Sequence, residues 1–371
     1  MFGFTLLERE SEPTLSYLPR FDGLRAVAIM GVLIEHFVPS GFLRSLSPGG
    51  AGVTLFFVLS GFLITRILIS YRGVSIRIAA RQFYWRRFLR LSPPLYLAIT
   101  FAVLFGFGSI RRYWWVHALY LTNFQIAMAG QWLGSGDHFW SLCTEEQFYL
   151  LWVFIVLLTS QESLFIYILI SFFVTLIFRS YVYFSNDSSL ITVLLPGNLA
   201  SMAAGALLIT AFMSESYKWI WMAAASKRWL IATATVFLLV SFSIRFMEMP
   251  RAIFYPFIAS AFSACLVAAA ANGNADPWLD WLSWKPVRYV GRISYGIYVY
   301  HMFLPPLVST IPSLQWVGNG GLIGSVALIG LSVGIAHLSW IFIESPILRY
   351  KNRFPLARSA SAAMLNPANP S

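Results

Sequence analysis

Arg25 and His36 lie eleven positions apart in a segment that reads as one helix, Phe21-Asp22-Gly23-Leu24-Arg25 through Ile34-Glu35-His36. Eleven steps of 100° return to within about 20° of the start, so both side chains project from one face, about 16 Å apart along the axis. Ionisable groups inside a membrane are costly and face a cavity or a partner. A neutral imidazole so placed could take a proton from a hydroxyl or act as a nucleophile itself. The plainer alternative is that Arg25 snorkels to the headgroups and His36 marks the outer end of the span.

Four more groups have chemical content. Six arginines and no lysine occur between Arg72 and Arg90, ending in Arg86-Arg87-Phe88-Leu89-Arg90. Guanidinium binds phosphate oxygens in pairs, so Arg86, Arg87 and Arg90 form a candidate anion site, although membrane orientation could also account for the cluster. Glu145 and Glu146 stand six residues inside an apolar run that begins near Phe139, where an unpaired charge is hard to place. The two diverge by about 100° on a helix, so one can face a cavity and the other a partner. Ser60, in Phe57-Val58-Leu59-Ser60-Gly61-Phe62, suits close helix packing, and would be a nucleophile only beside a base. Ser294, Tyr295, Tyr298 and His301 recur with Gly291 at spacings of three and four. They make a polar stripe that either packs by hydrogen bonds or lines a substrate path. His117, His138 and His337 have no comparable setting and read as structural or interfacial. Cys143 and Cys265 sit in apolar stretches as small hydrophobes, without disulfide or metal spacing. No Gly-rich phosphate loop, HExxH or GxSxG is present, and Asn186-Asp187-Ser188 matters as a glycosylation pattern only in a secretory lumen.

The elements that position these groups must lie in lipid. Of 371 residues, 58% are hydrophobic and 11% charged, against about a quarter charged in a soluble domain. Ten apolar stretches are expected to cross, at about 21–39, 50–70, 92–108, 139–158, 163–184, 190–212, 229–247, 252–271, 288–311 and 319–343. The aromatic segment from Tyr113 to Phe124 reads as interfacial. With the N-terminus in the cytoplasm, eighteen Lys and Arg fall inside and six outside. That bias predicts both termini cytoplasmic and accounts for the net charge of +11 without nucleic acid. The expected organisation is an N-terminal cytoplasmic segment 1–20, a retained first span, an all-α membrane domain 21–346 and a disordered tail 347–371.

The order and content of these segments resemble the acyltransferase-3 family of membrane acyltransferases. The matching stretches are Phe21-Asp22-Gly23-Leu24-Arg25 with His36, Phe56 to Phe62, and Arg86 to Leu91. They continue with Trp140-Ser141-Leu142 plus Glu145 to Tyr149, Ser294-Tyr295 with Tyr298 and His301, and Ile343-Glu344-Ser345-Pro346. The resemblance implies transfer of an acyl group, acetyl by default, from coenzyme A to a hydroxyl of a carbohydrate or related acceptor. It implies a multi-pass protein of the bacterial inner membrane and no metal. It assigns the functional pair to Arg25 and His36, with the arginine cluster expected to hold the donor's phosphates. Glu145 or Glu146 is expected to assist His36 at similar depth, with the acceptor modified at the outer face. Cys143-Thr144 departs from the family's more usual Ser-Val. Some members carry an esterase-like soluble domain; none is expected here, and acceptor selectivity is expected from the membrane domain. The rival reading is a transporter or flippase for a polar or lipid-linked saccharide, which usually shows internal repeats or paired broken helices; neither is visible. The acceptor's identity, the acyl chain and the oligomeric state are not written in the sequence.

Overall fold

The structure is a computed structural model that describes residues 17–39, 41, 46–185, 187, 189–243, 248–272, 277–318 and 321–353. Most of the N-terminal segment, the tail after Arg353, Arg44, Arg245, Asn186 and Ser188 lie outside them. Every regular element among the described residues is helical. The principal helices are α1 (Pro19–Phe37), α2 (Pro48–Ser70), α3 (Ile76–Leu104), α4 (Trp140–Leu158), α5 (Gln161–Phe184) and α6 (Leu199–Phe212). They continue with α7 (Lys227–Ser243), α8 (Glu248–Ala271), α9 (Lys285–Arg292), α10 (Ser294–Tyr300) and α11 (Leu322–Ser339).

Six helices are long and apolar enough to cross a membrane, or up to seven if the bent pair Lys218–Ala224 and Lys227–Phe242 is one span. The surface agrees with lipid as the solvent. On α5, Ile166, Phe173, Ile177, Tyr181 and Phe184 are each more than half exposed, which water would penalise and lipid does not.

The other apolar stretches became helices of a different kind, each for a local reason. The first is α1, whose Arg20, Asp22, Arg25 and Glu35 make it too charged for a lipid-facing span. The sixth opens as two 3-10 turns, Ser189–Val193 and Leu195–Gly197, leaving α6 only 14 residues. Asn198 bonds the carbonyls of Thr192 and Leu194 in that break. The ninth is split into α9, α10, a 3-10 turn His301–Phe303 and a short helix Leu304–Ser309. Pro305 and Pro306 have no N–H to give the carbonyls of His301 and Met302, which removes two α-helical hydrogen bonds at this break. The arginine cluster and the third stretch are one 29-residue helix, α3, with Pro93 and Pro94 inside it.

Close backbone approach holds the centre. A Cβ on Gly61 of α2 would stand 1.9 Å from the Met202 carbonyl of α6, and one on Gly205 would stand 2.0 Å from the Val58 carbonyl. Only glycine permits this crossing. Around it pack Leu55, Val58, Leu59 and Phe62 from α2 and Ala204 and Leu208 from α6.

Candidate active site

The lengths and breaks of these helices gather the chemical side chains into two adjoining places. The first is a cavity of about 760 Å³ bounded by α1, α2, α3, α4 and α10. Among the described residues, Arg25, Arg66, Arg86, Arg87, Arg90, Arg292 and Lys351 line it against the two carboxylates of Asp22 and Glu145. The excess of cations in a concave, largely apolar wall gives the cavity a positive potential, which is chemistry suited to an anionic ligand.

Its charges are fixed in place. Arg25 bonds Asp22 at 2.6 Å, one turn back on α1, and the Tyr17 hydroxyl donates to the other oxygen of Asp22 at 2.5 Å. Arg87 lies over the Tyr149 ring with its guanidinium carbon 3.6 Å from the centroid, and its Nη2 lies 3.6 Å from Glu146 Oε1. The hydroxyls of Ser60 and Tyr149 both donate to Glu145. Among the described residues the buried Nε–H of Arg87 has no hydrogen-bond acceptor.

The second place is a histidine cluster where α1 ends. His36 Nδ1 lies 3.1 Å from His301 Nε2, and His301 Nδ1 lies 2.7 Å from the Tyr298 carbonyl. His138, in the 3-10 turn Asp137–Phe139 before α4, places its ring 5.0 Å from that of His301. Its Nε2 lies 3.2 Å from the Val299 carbonyl. His301 is fully buried.

Tyr298 joins the two places. It lines the cavity, together with Ser141, Ser294 and Tyr295. Its hydroxyl makes 2.6 Å contacts with the Ser141 hydroxyl and the His138 carbonyl. Its ring lies 5.5 Å from His138 and 5.6 Å from His301. Tyr295 donates to the Leu91 carbonyl on α3 at 2.7 Å, fixing the stripe against the arginine helix.

The residues singled out in the sequence thus divide. Arg25, Arg86, Arg87, Arg90, Ser60, Glu145, Ser294, Tyr295 and Tyr298 line one cavity, and His36 meets His301 outside that lining. The carboxylates take a different position from the one expected. Glu146 pairs with Arg87, and Glu145 accepts from Ser60 and Tyr149, so both belong with the arginine cluster. The physical reason is axial rise: α4 reaches the histidines through His138 and Ser141, and Glu145 lies roughly 10 Å further along than His138. Thr144, the departure from the family pattern, is buried and donates to the Val193 carbonyl. His117 contacts Thr122 at 2.9 Å, and burial pushes its pKa down to about 4, so it is a neutral packing residue. His337 contacts the Tyr289 hydroxyl at 2.5 Å. Among the described residues no group of His, Cys, Asp or Glu could hold a metal ion.

Sequence reasoning read His138 as structural or interfacial and gave no site role to Asp22, Arg66, Arg292 or Lys351, which the structure places at the histidine cluster and in the cavity lining. His138 had one available signal: it stands two residues before Trp140-Ser141-Leu142, so it had to lie at the mouth of α4.

Comparison with known proteins agrees with the resemblance. Residues 18–341 match the family described as acyltransferase domain, the acyltransferase-3 type. The O-acetyltransferase OatA of Staphylococcus aureus (strain NCTC 8325 / PS 47) is 28% identical over 389 residues, covering 93% of this chain and 59% of that protein. The peptidoglycan O-acetyltransferase OatA of Listeria monocytogenes serovar 1/2a (strain ATCC BAA-679 / EGD-e) is 26% identical over 380 residues, covering 92% and 57%. The chain spans a little over half the length of these relatives. No solved structure matches.

Proposed function

We propose, from the premise that this chain belongs to the acyltransferase-3 family, that it moves an acetyl group from acetyl-CoA to a hydroxyl of a glycan at the outer side of the inner membrane. The observation that carries the reading is Tyr298, which lines the cationic cavity and also contacts the histidine cluster. Donor binding and proton transfer thereby occur at adjoining places. The names of the relatives, O-acetyltransferase and peptidoglycan O-acetyltransferase, support acetyl as the group and a glycan as the acceptor.

Arg25, Arg86, Arg87 and Arg90 hold the donor's phosphates, aided by the cation excess around them. Glu145 and Glu146 fix Arg87 and its neighbours rather than acting on the proton. The pantetheine arm passes Ser294, Tyr295 and Tyr298 towards His36, a span on the order of the 16 Å between Arg25 and His36 along α1. The neutral imidazole of His36 accepts the proton of the attacking hydroxyl as its oxygen bonds to the thioester carbonyl. The carbon–sulfur bond then breaks, the leaving thiolate takes that proton back, and the products are the ester and free coenzyme A. Ten crossings, counting α1 and the broken segments, with both termini inside, place the arginines on the cytoplasmic side, as the charge bias supports.

The test is product formation. Purified protein with labelled acetyl-CoA and a peptidoglycan-derived oligosaccharide should yield labelled ester and free thiol in equal amounts. His36→Ala, inserted and folded, should yield neither. Near-normal turnover by that variant would remove the assignment, and uptake of saccharide without ester would favour a transporter.

A further inference from the structure

Glu344, in the stretch Ile343-Glu344-Ser345-Pro346, is a carboxylate that the reaction leaves without a role. It is 4% exposed and lies in the apolar helical segment Leu322–Lys351. Ionisable groups in such a place are costly and mark a partner or a site. Among the described residues no cation stands within ion-pair distance of it, the ion pairs being those of Asp280, Asp22, Glu146 and Glu215.

The backbone is deformed to put it there. α11 ends at Ser339 and continues as a π turn, Trp340–Glu344, closed by the Ser345 N–H on the Trp340 carbonyl. Pro346 has no N–H for the Phe342 carbonyl, so α-type bonding is interrupted at this turn. In an unbroken α-helix, five steps of 100° would set Glu344 about 140° away from Ser339. The wider π turn, which closes on the fifth residue, brings the two together. The Ser339 hydroxyl donates to Glu344 Oε1 at 3.0 Å, and Ser339 is itself held by the Tyr300 hydroxyl of α10 at 2.9 Å. Single π turns of this kind occur frequently at functional sites.

The turn faces the arginine helix. α3 packs against the π turn and against the two short helical turns after it, Ser345–Leu348 and Arg349–Arg353, and Trp340, Leu348 and Lys351 line the cavity. Glu344 Oε1 lies where α10 meets α3. A Cβ on Gly296 would stand 3.0 Å from it, and the neighbouring Tyr295 bonds the carbonyl of Leu91, next to Arg90. Arg90 lies within electrostatic reach of Arg25, Arg87, Asp22 and Glu344. The two arginines repel it, and Asp22 already holds Arg25 at 2.6 Å. We propose that Glu344 is a positioning residue for donor binding: it does not touch the donor, but supplies the charge that keeps the Arg90 guanidinium directed into the cavity. This rests on the reading of Arg90 as a ligand of the donor's phosphates given above. The plainer alternative is a carboxylate that only ties α11 to α10 through Ser339 and Tyr300.

The experiment is a double-mutant cycle on full-length purified protein, read as KM for acetyl-CoA and kcat at saturating acceptor. Glu344→Gln keeps an acceptor for Ser339 and nearly the same shape, and removes the charge. It should raise KM for acetyl-CoA about threefold or more while kcat holds. Arg90→Ala should raise KM as well, and the double variant should be no worse than Arg90→Ala alone, because the charge acts through Arg90. Glu344→Asp retracts the charge by one methylene and should raise KM less than Glu344→Gln; it runs the same cycle with Arg90→Ala where the Gln variant fails to fold. The rise in melting temperature on adding free coenzyme A repeats the comparison without turnover, and should shrink in Glu344→Gln and Arg90→Ala alike. An unchanged or lowered KM in Glu344→Gln would overturn the proposal, since removing a bare negative charge near phosphates favours their binding. Additive effects in the double variant, or lost stability with KM retained, would overturn it too and leave Glu344 to packing. An unchanged KM in Arg90→Ala would instead remove the underlying reading of that arginine.

Discussion

The guanidinium of Arg87 is stacked on the ring of Tyr149, 3.6 Å from its centroid, although the two residues come from different helices, α3 and α4. This contact separates Arg87 from an orientation charge that merely marks a cytoplasmic loop. A snorkelling arginine keeps its head in water. This one is side-on to an aromatic face, within ion-pair distance of Glu146 and partly buried, with a side-chain exposure of 18%. Tyr149 in turn donates to Glu145, so the arginine helix and the carboxylate helix are clasped at one point.

Arg87→Ala should therefore raise the KM for acetyl-CoA by about tenfold or more, since hydrogen bonds to charged groups contribute about 1.5–3 kcal/mol. Arg87→Lys should recover only part of it. Lysine keeps the charge but loses the planar fork and the stacking. Steady-state kinetics at saturating acceptor measures both. Full recovery by lysine would mean that charge alone is at work.

The two ion pairs of α1 should behave differently. The two arginines are similarly buried, Arg25 21% and Arg20 16% exposed, but their carboxylate partners differ, Asp22 at 8% and Asp280 at 62%. Removing one partner of a buried pair costs about 3–5 kcal/mol, an upper bound here because Arg25 retains some exposure. An exposed pair is worth about 0–1 kcal/mol. Asp22→Asn should lower the melting temperature in detergent by several degrees, and Asp280→Asn should leave it nearly unchanged. Thermal unfolding followed by tryptophan fluorescence compares them directly.

Gly61 should tolerate no side chain. The Met202 carbonyl occupies the place of its Cβ, and overpacking of a tight core costs typically about 1–3 kcal/mol. Gly61→Ala should reduce folded yield and melting temperature, and Gly50→Ala, with open space at its Cβ, should not. Equal stability of the two variants would show that α2 and α6 can part without cost.

How much of this was legible depends on the range of the interaction. Local periodicity placed Arg25 and His36 on one helix and aligned Ser294, Tyr295 and Tyr298, because those relationships run along a single helix. The all-helical membrane character followed from composition for the same reason. The internal breaks did not follow, since hydropathy registers the apolar content of 190–212 and 288–311 but not the interruptions near Asn198 and Pro305-Pro306. The partner of Glu146 was equally hidden. Depth along α4 depends on where the helix starts in the fold, and that start is set by contacts of His138 and Ser141 with α10, some 160 positions away. Relationships between helices are written in packing, which one sequence does not display.

The sidedness of the reaction gives the last prediction. If the phosphates bind at the arginine cluster and the base is at His36, donor and acceptor approach from opposite ends of α1. The arginines from Arg72 to Arg90 precede or open α3, on the side that the charge bias assigns to the cytoplasm. His36 lies in the last turn of α1, eleven residues beyond Arg25, which is about 16 Å of helix rise. Tyr298 closes the distance between them, touching the cavity on one side and the histidines on the other. Proteoliposomes with the protein in one orientation and acetyl-CoA sealed inside should acetylate an impermeant oligosaccharide supplied outside, and release coenzyme A within. Donor outside with acceptor inside should be inactive in the same vesicles. Arg90→Ala should reduce the first reaction through donor KM, and His36→Ala should abolish it with donor binding intact. Turnover only when donor and acceptor share a compartment would show that the thioester never crosses, and would return the histidine cluster to a structural role.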